Sequence, residues 1–321
     1  MKSRPGWLAI LAMLAMAACG PATGGAGDSG PLRVVATFSV LGDMVRSVGG
    51  DHLSLTVLAG PGVDTHTYSP TASDAAALAE SEIVFENGLE FEGWLDDLYE
   101  ASGSQATRAA VSEGIEPLEA DEQAEDEHAG DEDDDEAGHA HGALDPHIWH
   151  SAANAIAMVH NIREALISAD PAHADAYRAN AEAYASELRE LDAWIFETVE
   201  RLPVERRVLV TTHDTFGYLA DRYGFQVVGT VLPTSTEGAS PSAQALAALV
   251  DAIRATGVPV VFGENVAGNG LLSQVAAEAG VEVVASLFTD ALGPESSAAT
   301  TYLDMMHFNV STIVDALAGA Q

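Results

Sequence analysis

Apolar residues crowd positions 32–38, where only Arg33 and Thr37 break the run. The spacing then changes: Val40, Leu41, Met44, Val45 and Val48 fall on one face of a helix. A strand followed by a helix is therefore the first unit. The same alternation predicts strands at 53–59 and 83–85 and helices at 71–79, with Thr71 or Ser73 as N-cap, and at 91–99, carrying Trp94. A second series predicts strands at 208–211, 226–231, 258–262 and 281–285, with helices at 216–223, 241–256, 271–279 and 299–318. Alternating strands and helices are the signature of parallel sheets covered by helices, so the fold class is α/β with two lobes. No internal sequence repeat relates the two series.

Between them the period is helical only. One helix is predicted at 151–168, and Asp170-Pro171 opens another, a capping carboxylate before a residue that needs no N–H. Tyr177, Ala181, Tyr184, Leu188, Leu191 and Ile195 then make one continuous stripe as far as Val199, and Leu202-Pro203 ends it. A helix of that length spans about 45 Å, enough to join two lobes rigidly. The expected organisation is an N-terminal lobe at 31–168, a linking helix within 169–203 and a C-terminal lobe at 204–321.

Two segments depart from this pattern. Lys2 and Arg4 precede an uncharged apolar run at 7–16. Ten helical residues rise about 15 Å, too little for the ~30 Å core of a bilayer, so residues 1–19 read as a signal peptide rather than a span. Ala17-Ala18-Cys19-Gly20 resembles the bacterial lipoprotein cleavage box, which implies lipidation of Cys19 and a lipid anchor to the membrane. The five glycines of 20–30 make a flexible tether, which places the mature chain in the periplasm or at the outer face of the cytoplasmic membrane. The second segment, 119–142, holds twelve carboxylates between Glu119 and Glu136, together with His128, His139 and His141. Such a run repels itself and buries nothing; it is expected to be a disordered insert, either a solvated acidic spacer or a loop that binds metal weakly as a collector or a sensor of excess.

Charge narrows the function. The 321 residues carry 13 Lys plus Arg against 49 Asp plus Glu, a net charge of −36. A nucleic-acid partner and docking onto anionic lipid by surface charge are both excluded, and a cationic ligand is favoured. One cysteine leaves no disulfide, no Cys-rich zinc site and no redox pair.

Histidine carries the remaining signal. His66 follows the 53–59 strand, His147 lies between the acidic insert and a helix, and His213 follows the 208–211 strand. Asp290 follows the last strand, and all four stand where open α/β sheets bind ligands. Three neutral imidazoles and one carboxylate would suit Zn²⁺. Separations of 81, 66 and 77 residues decide nothing alone, since each His can equally cap a turn or bond a carbonyl. Glu264, past the 258–262 strand, is placed to orient a ligand imidazole, and Tyr68, Trp149 and Phe216 to wall the site. His150 lies close to His147 and can bond a neighbour. His52, His160, His173 and His307 read as isolated structural or exposed residues.

The segments Asp64-Thr65-His66-Thr67-Tyr68-Ser69-Pro70-Thr71, Asp145-Pro146-His147-Ile148-Trp149, His213-Asp214-Thr215-Phe216-Gly217-Tyr218 and Thr289-Asp290-Ala291-Leu292-Gly293 occur in this order. Together they resemble the cluster A-I substrate-binding lipoproteins of zinc and manganese ABC transporters, the ZnuA/TroA family, from Leu32 to Leu317. The resemblance implies metal ligands at His66, His147, His213 and Asp290, and delivery of a divalent ion to an ABC permease membrane subunit. It implies Zn²⁺ through His213, where manganese members usually have Glu, and through the His-bearing insert. Asp290 as fourth ligand leaves Mn²⁺ as the alternative, with iron beside it. Thr65 stands where the family usually has Pro. Two other readings remain: a surface adhesin of the same fold, and a zinc-dependent hydrolase. The hydrolase is opposed by a fourth protein ligand and by the absence of a His-Glu-x-x-His helix or an evident general base.

Overall fold

Val34, Val35, Ala36 and Phe38 are all buried, as a strand covered on both faces requires. They lie in β1 (Leu32–Phe38), the inner strand between β2 (Leu53–Ala59) and β3 (Ile83–Glu86). The computed structural model describes residues 30–120, 144–234 and 241–319. The signal peptide with Cys19, all of the tether but Gly30, and the insert residues His128, His139 and His141 lie outside the described residues.

The first sheet has the order β2-β1-β3-β4 and is parallel throughout. Its last strand, β4 (Thr107–Ala110), was invisible to the hydrophobic pattern because it is a short edge strand of sequence Thr-Arg-Ala-Ala with an exposed first half. The helices are α1 (Ser39–Gly49), α2 (Ala72–Glu80) and α3 (Leu95–Ser102). Thr71 and Asp74 close a capping box at the start of α2. The helix expected at 91–99 begins only at Leu95. Residues ahead of it form a turn in which Leu89 and Glu90 take positive φ and Phe91 and Glu92 are buried.

The second sheet repeats this topology as β6-β5-β7-β8, with β5 (Val208–His213), β6 (Gln226–Leu232), β7 (Val260–Glu264) and β8 (Glu282–Leu287). His213 and Glu264 are thus the last residues of their strands rather than residues beyond them. Helices α6 (Gly217–Tyr223), α7 (Ala243–Thr256), α8 (Gly270–Ala279) and α9 (Tyr302–Gly319) cover the sheet.

Two helices lie between the sheets in sequence: α4 (Ala152–Ala169) and α5 (Ala174–Val199). A 3-10 turn, Pro171–His173, precedes α5, so the long helix is 26 residues, about 39 Å, and starts later than the Asp-Pro signal suggests. Asp170 does not cap it; its carboxylate accepts hydrogen bonds from His173 (2.6 Å) and Tyr177 (2.8 Å) instead. The stripe read from the sequence is buried along its whole length. It packs on α1 and α4 of the first half and on α6 and α9 of the second. One apolar core accordingly runs from β1 through α4 and α5 into α9, with a smaller cluster beyond each sheet. Among the described residues no helix is long and apolar enough to cross a membrane.

Candidate metal centre

The carboxyl ends of both sheets converge on four side chains. His66 is carried by the loop after β2, where Gly62 (φ +75°) turns the chain and the Asp64 carboxylate accepts the His66 backbone N–H at 2.9 Å. Trp94 fixes the same loop by donating its indole N–H to the Thr65 carbonyl at 2.9 Å. Thr65, the departure from the family's usual Pro, is buried with an unpartnered hydroxyl.

His147 opens the 3-10 turn Ile148–His150. One oxygen of Asp145 accepts both its backbone N–H (2.9 Å) and its Nδ1–H (2.8 Å), which leaves Nε2 facing the centre. Gly217 is required beside it, because a Cβ there would sit 2.5 Å from the other Asp145 oxygen. His213 is held the same way by Glu264, which accepts the backbone N–H at 2.9 Å and the Nδ1–H through its second oxygen.

Asp290 sits in the loop after β8, whose backbone is gripped by side chains rather than by a ladder. Asn309 pairs with both the N–H (2.9 Å) and the carbonyl (2.6 Å) of Phe288. Asn265 takes the Thr289 N–H and the Ala291 carbonyl, both at 3.1 Å. From the first lobe, Trp149 donates to the Thr289 carbonyl (3.1 Å), Ser39 accepts the Leu292 N–H (2.9 Å) and the Gly62 N–H meets the Leu292 carbonyl (2.9 Å).

The outcome is a compact donor set. His66 Nε2 lies 3.3 Å from His147 Nε2 and 3.7 Å from an Asp290 oxygen. His147 Nε2 is 3.5 Å from the other Asp290 oxygen, and His213 Nε2 is 3.2 Å from the first. A tetrahedral ion with bonds near 2.0–2.1 Å sets its ligand atoms roughly 3.3–3.4 Å apart, so these separations fit one ion. His66 is 7% exposed and the other three are fully buried. His213 Nε2 and both Asp290 oxygens have no hydrogen-bond partner, the condition expected of atoms reserved for a cation.

Burial alone would keep His66, His213 and Asp290 neutral. It lowers His66 to a pKa of about 3. At His213 burial pulls the same way, but the Glu264 and Asp290 carboxylates outweigh it and raise the group well above its ordinary value. Burial raises Asp290, yet His213, His147 and His66 hold it well below the usual carboxylate range.

Four sequence-derived positions thus lie together, and Glu264 hydrogen-bonds His213. Trp149 does line the site, 5.3 Å from the His147 ring. Tyr68 instead meets Trp94 edge-on and bonds Asp74, and Phe216 covers His150 rather than the centre. The wall against His66 is Phe91, at 4.8 Å, which the sequence had hidden in a helix. His150 is fully buried without a partner on either ring nitrogen and stands outside the group of four. His52 and His173 are not isolated; their rings stack at 4.0 Å. Asp145, Asn265 and Asn309 were missed as supports. Only Asp145, two residues before His147, carried a local signal.

Comparison with known proteins places the chain among metal-binding proteins. The family model for the periplasmic zinc-uptake complex component A matches residues 34–316. The manganese-binding lipoprotein MntA of Halalkalibacterium halodurans is 33% identical over 310 residues, covering 96% of each chain. The iron-binding protein YfeA of Yersinia pestis is 33% identical over 281 residues, covering 88% of this chain and 85% of its own. Among solved structures, the periplasmic zinc-binding protein TroA of Treponema pallidum superposes with a TM-score of 0.77 at 29% identity, over 90% of this chain and 99% of that one. The Mn-bound periplasmic metal-binding protein of Candidatus Liberibacter asiaticus gives 0.76 at 26%, over 88% and 98%.

Proposed function

The chain belongs to the family of periplasmic zinc-uptake component A, the metal-binding substrate-binding proteins of ABC transporters, and from that premise we propose that it captures Zn²⁺ outside the cytoplasmic membrane and hands it to an ABC permease. The family binds and delivers; it is not a family of enzymes. One observation carries the reading: four buried donor groups, His66, His147, His213 and Asp290, place their ligand atoms within 4.8 Å of one another. Three imidazole nitrogens and a carboxylate suit zinc, and the spacing suits a tetrahedral ion. The lipoprotein names of relatives support anchoring through Cys19, so that the protein works tethered to the membrane beside its permease.

A second reading, Mn²⁺ or Fe²⁺, has its own observation. Both Asp290 oxygens face imidazole nitrogens and neither has a hydrogen-bond partner, so a bidentate carboxylate would bring the donors to five. Relatives are named for manganese and for iron. Affinity in the test tube will not separate the cargoes, because nitrogen-rich sites prefer Zn²⁺ over Mn²⁺ whatever they carry in the cell. The test is elemental analysis of protein purified from its own cells without added metal. One equivalent of zinc supports the proposal; one equivalent of manganese or iron transfers the function to the second reading.

A further inference from the structure

Glu92 is a buried acid that the metal centre does not use directly. It lies in the turn between β3 and α3, 7% exposed, with every hydrogen bond a donor pointing at its carboxylate. The Thr37 hydroxyl donates at 2.6 Å and the Asn87 N–H at 2.7 Å to one oxygen, and the Gly88 N–H donates at 3.3 Å to the other. The turn so gathered places Leu89 (φ 56°) and Glu90 (φ 60°) in the left-handed region, which side chains adopt reluctantly. The Phe91 N–H closes that turn on the Gly88 carbonyl at 3.2 Å, and the Glu92 carboxylate ties its start to Thr37 of β1.

The turn acts on the metal centre by two routes. Phe91 presents its ring to His66 at 4.8 Å and to His147 at 5.9 Å, backed by Phe38 at 4.9 Å and Trp149 at 5.0 Å. Asn87, whose N–H is bound by Glu92, donates its side-chain amide at 2.8 Å to the carbonyl of Pro146, the residue before His147. Both imidazoles of the first lobe therefore rest on a structure tied together by one carboxylate.

We propose that Glu92 is a positioning residue for the metal centre, holding His66 and His147 in register when ionised and loosening them when protonated, so that metal capture and loss of the Glu92 proton are linked. The proposal rests on the reading of the four residues as a metal site. All three donors favour the carboxylate form; a proton on the second oxygen would face the Gly88 N–H and push the turn apart. Burial opposes the donors and raises the pKa to about 7, where the two forms exchange under ordinary conditions. The charged groups around it are few. Glu86, at the end of β3, raises it further, and Glu86 is itself paired with Arg108, on β4. Across Phe91 the titratable groups are His66 and His147. Linkage makes the effect reciprocal: if the ionised form binds the ion more tightly, the ion promotes ionisation by the same factor.

The test is Zn²⁺ affinity by chelator competition from pH 6 to 8.5, for the wild type and for Glu92→Gln. Glutamine keeps the bonds to Thr37 and Asn87 on one oxygen and turns an amide donor toward Gly88, as the protonated acid does. Protonation of the ligand imidazoles affects both proteins alike and cancels in the ratio of their dissociation constants. That ratio should fall toward one as pH drops to 6 and rise to about tenfold, weaker in the variant, at pH 8.5. A ratio independent of pH overturns the proposal. Thr37→Val is the second arm: it keeps the acid, removes one donor and should move the step to higher pH. An unmoved step also overturns the proposal, and this arm decides alone if Glu92→Gln does not fold. Failure of the wild type to bind zinc at any pH is a different result, because it removes the metal-site reading itself.

Discussion

Of the four proposed ligands, His213 is the one on which the electrostatics of the centre turn. Its ring bonds Glu264 on one side and faces Asp290 on the other, so removing it leaves two buried carboxylates without their shared cation and a gap that water fills poorly. His213→Ala should weaken zinc binding at least tenfold in calorimetry, and a variant that matched the parent would exclude His213 from the ligand set. The same contacts fix the sign of the pH dependence. With its pKa raised well above 6.5, His213 is protonated in the metal-free protein at neutral pH, and an ion must displace that proton from Nε2. Affinity should therefore climb as pH rises from 6 to 8, by about tenfold per unit for one displaced proton. For the metal-free protein the direction reverses. The stability contributed by His213 is complete below the unfolded value of about 6.5 and is lost as pH rises through its raised folded value. A zinc affinity that stayed flat over this interval would rule out proton displacement at His213.

Legibility in the sequence ended at the level of elements. The stripe of α5 could be read because burial there follows one helix face, and β1 and β5 because parallel strands buried on both sides are nearly continuous in apolar residues. The four residues of the candidate centre were marked out by the family resemblance of the segments that hold them, since their spacing alone decided nothing. The turn before α3 failed the pattern because Glu92, a charged residue, is buried by donors that come from Thr37 and Asn87. The Asn265 and Asn309 supports were hidden because their partners lie 21 to 26 residues away, a distance that carries no periodic signal. Asn309→Ala would strand the Phe288 N–H and carbonyl in a buried site, a loss of roughly 1–3 kcal/mol per unpaired group. Urea unfolding of the metal-free variant should show that loss, and zinc affinity should fall with it. An unchanged midpoint and affinity would mean that the loop after β8 does not depend on α9.

For the whole molecule, the decisive fact is that the core does not stop at the lobe boundary. Phe38, Trp149, Tyr177, Ile195, Tyr302 and Ile313 belong to one buried cluster, and α5 touches helices of both halves. Asn180 of α5 bonds the Val48 carbonyl of α1 at 3.0 Å, and Asp192 of α5 is paired with Arg222 and Tyr223 of α6. Asp43 of α1 accepts the Tyr302 N–H at the start of α9 at 2.8 Å. Opening the halves would break apolar packing along about 39 Å of helix rather than bend a few strands. Small-angle scattering curves with and without zinc should nearly superimpose, and a change of several ångströms in the radius of gyration would count against the rigid connection.

The grip on residues 288–292 has a consequence for inheritance. Asn265, Asn309, Trp149, Ser39 and Gly62 hold the backbone on either side of Asp290, and none of these bonds involves its side chain. The path of the chain there is independent of what residue 290 is. Aspartate lies one base change from asparagine, glutamate and histidine, so a single mutation can exchange the donor while its scaffold stays in place. A lineage built on this fold can drift from one metal to another at this position without first surviving a misfolded intermediate.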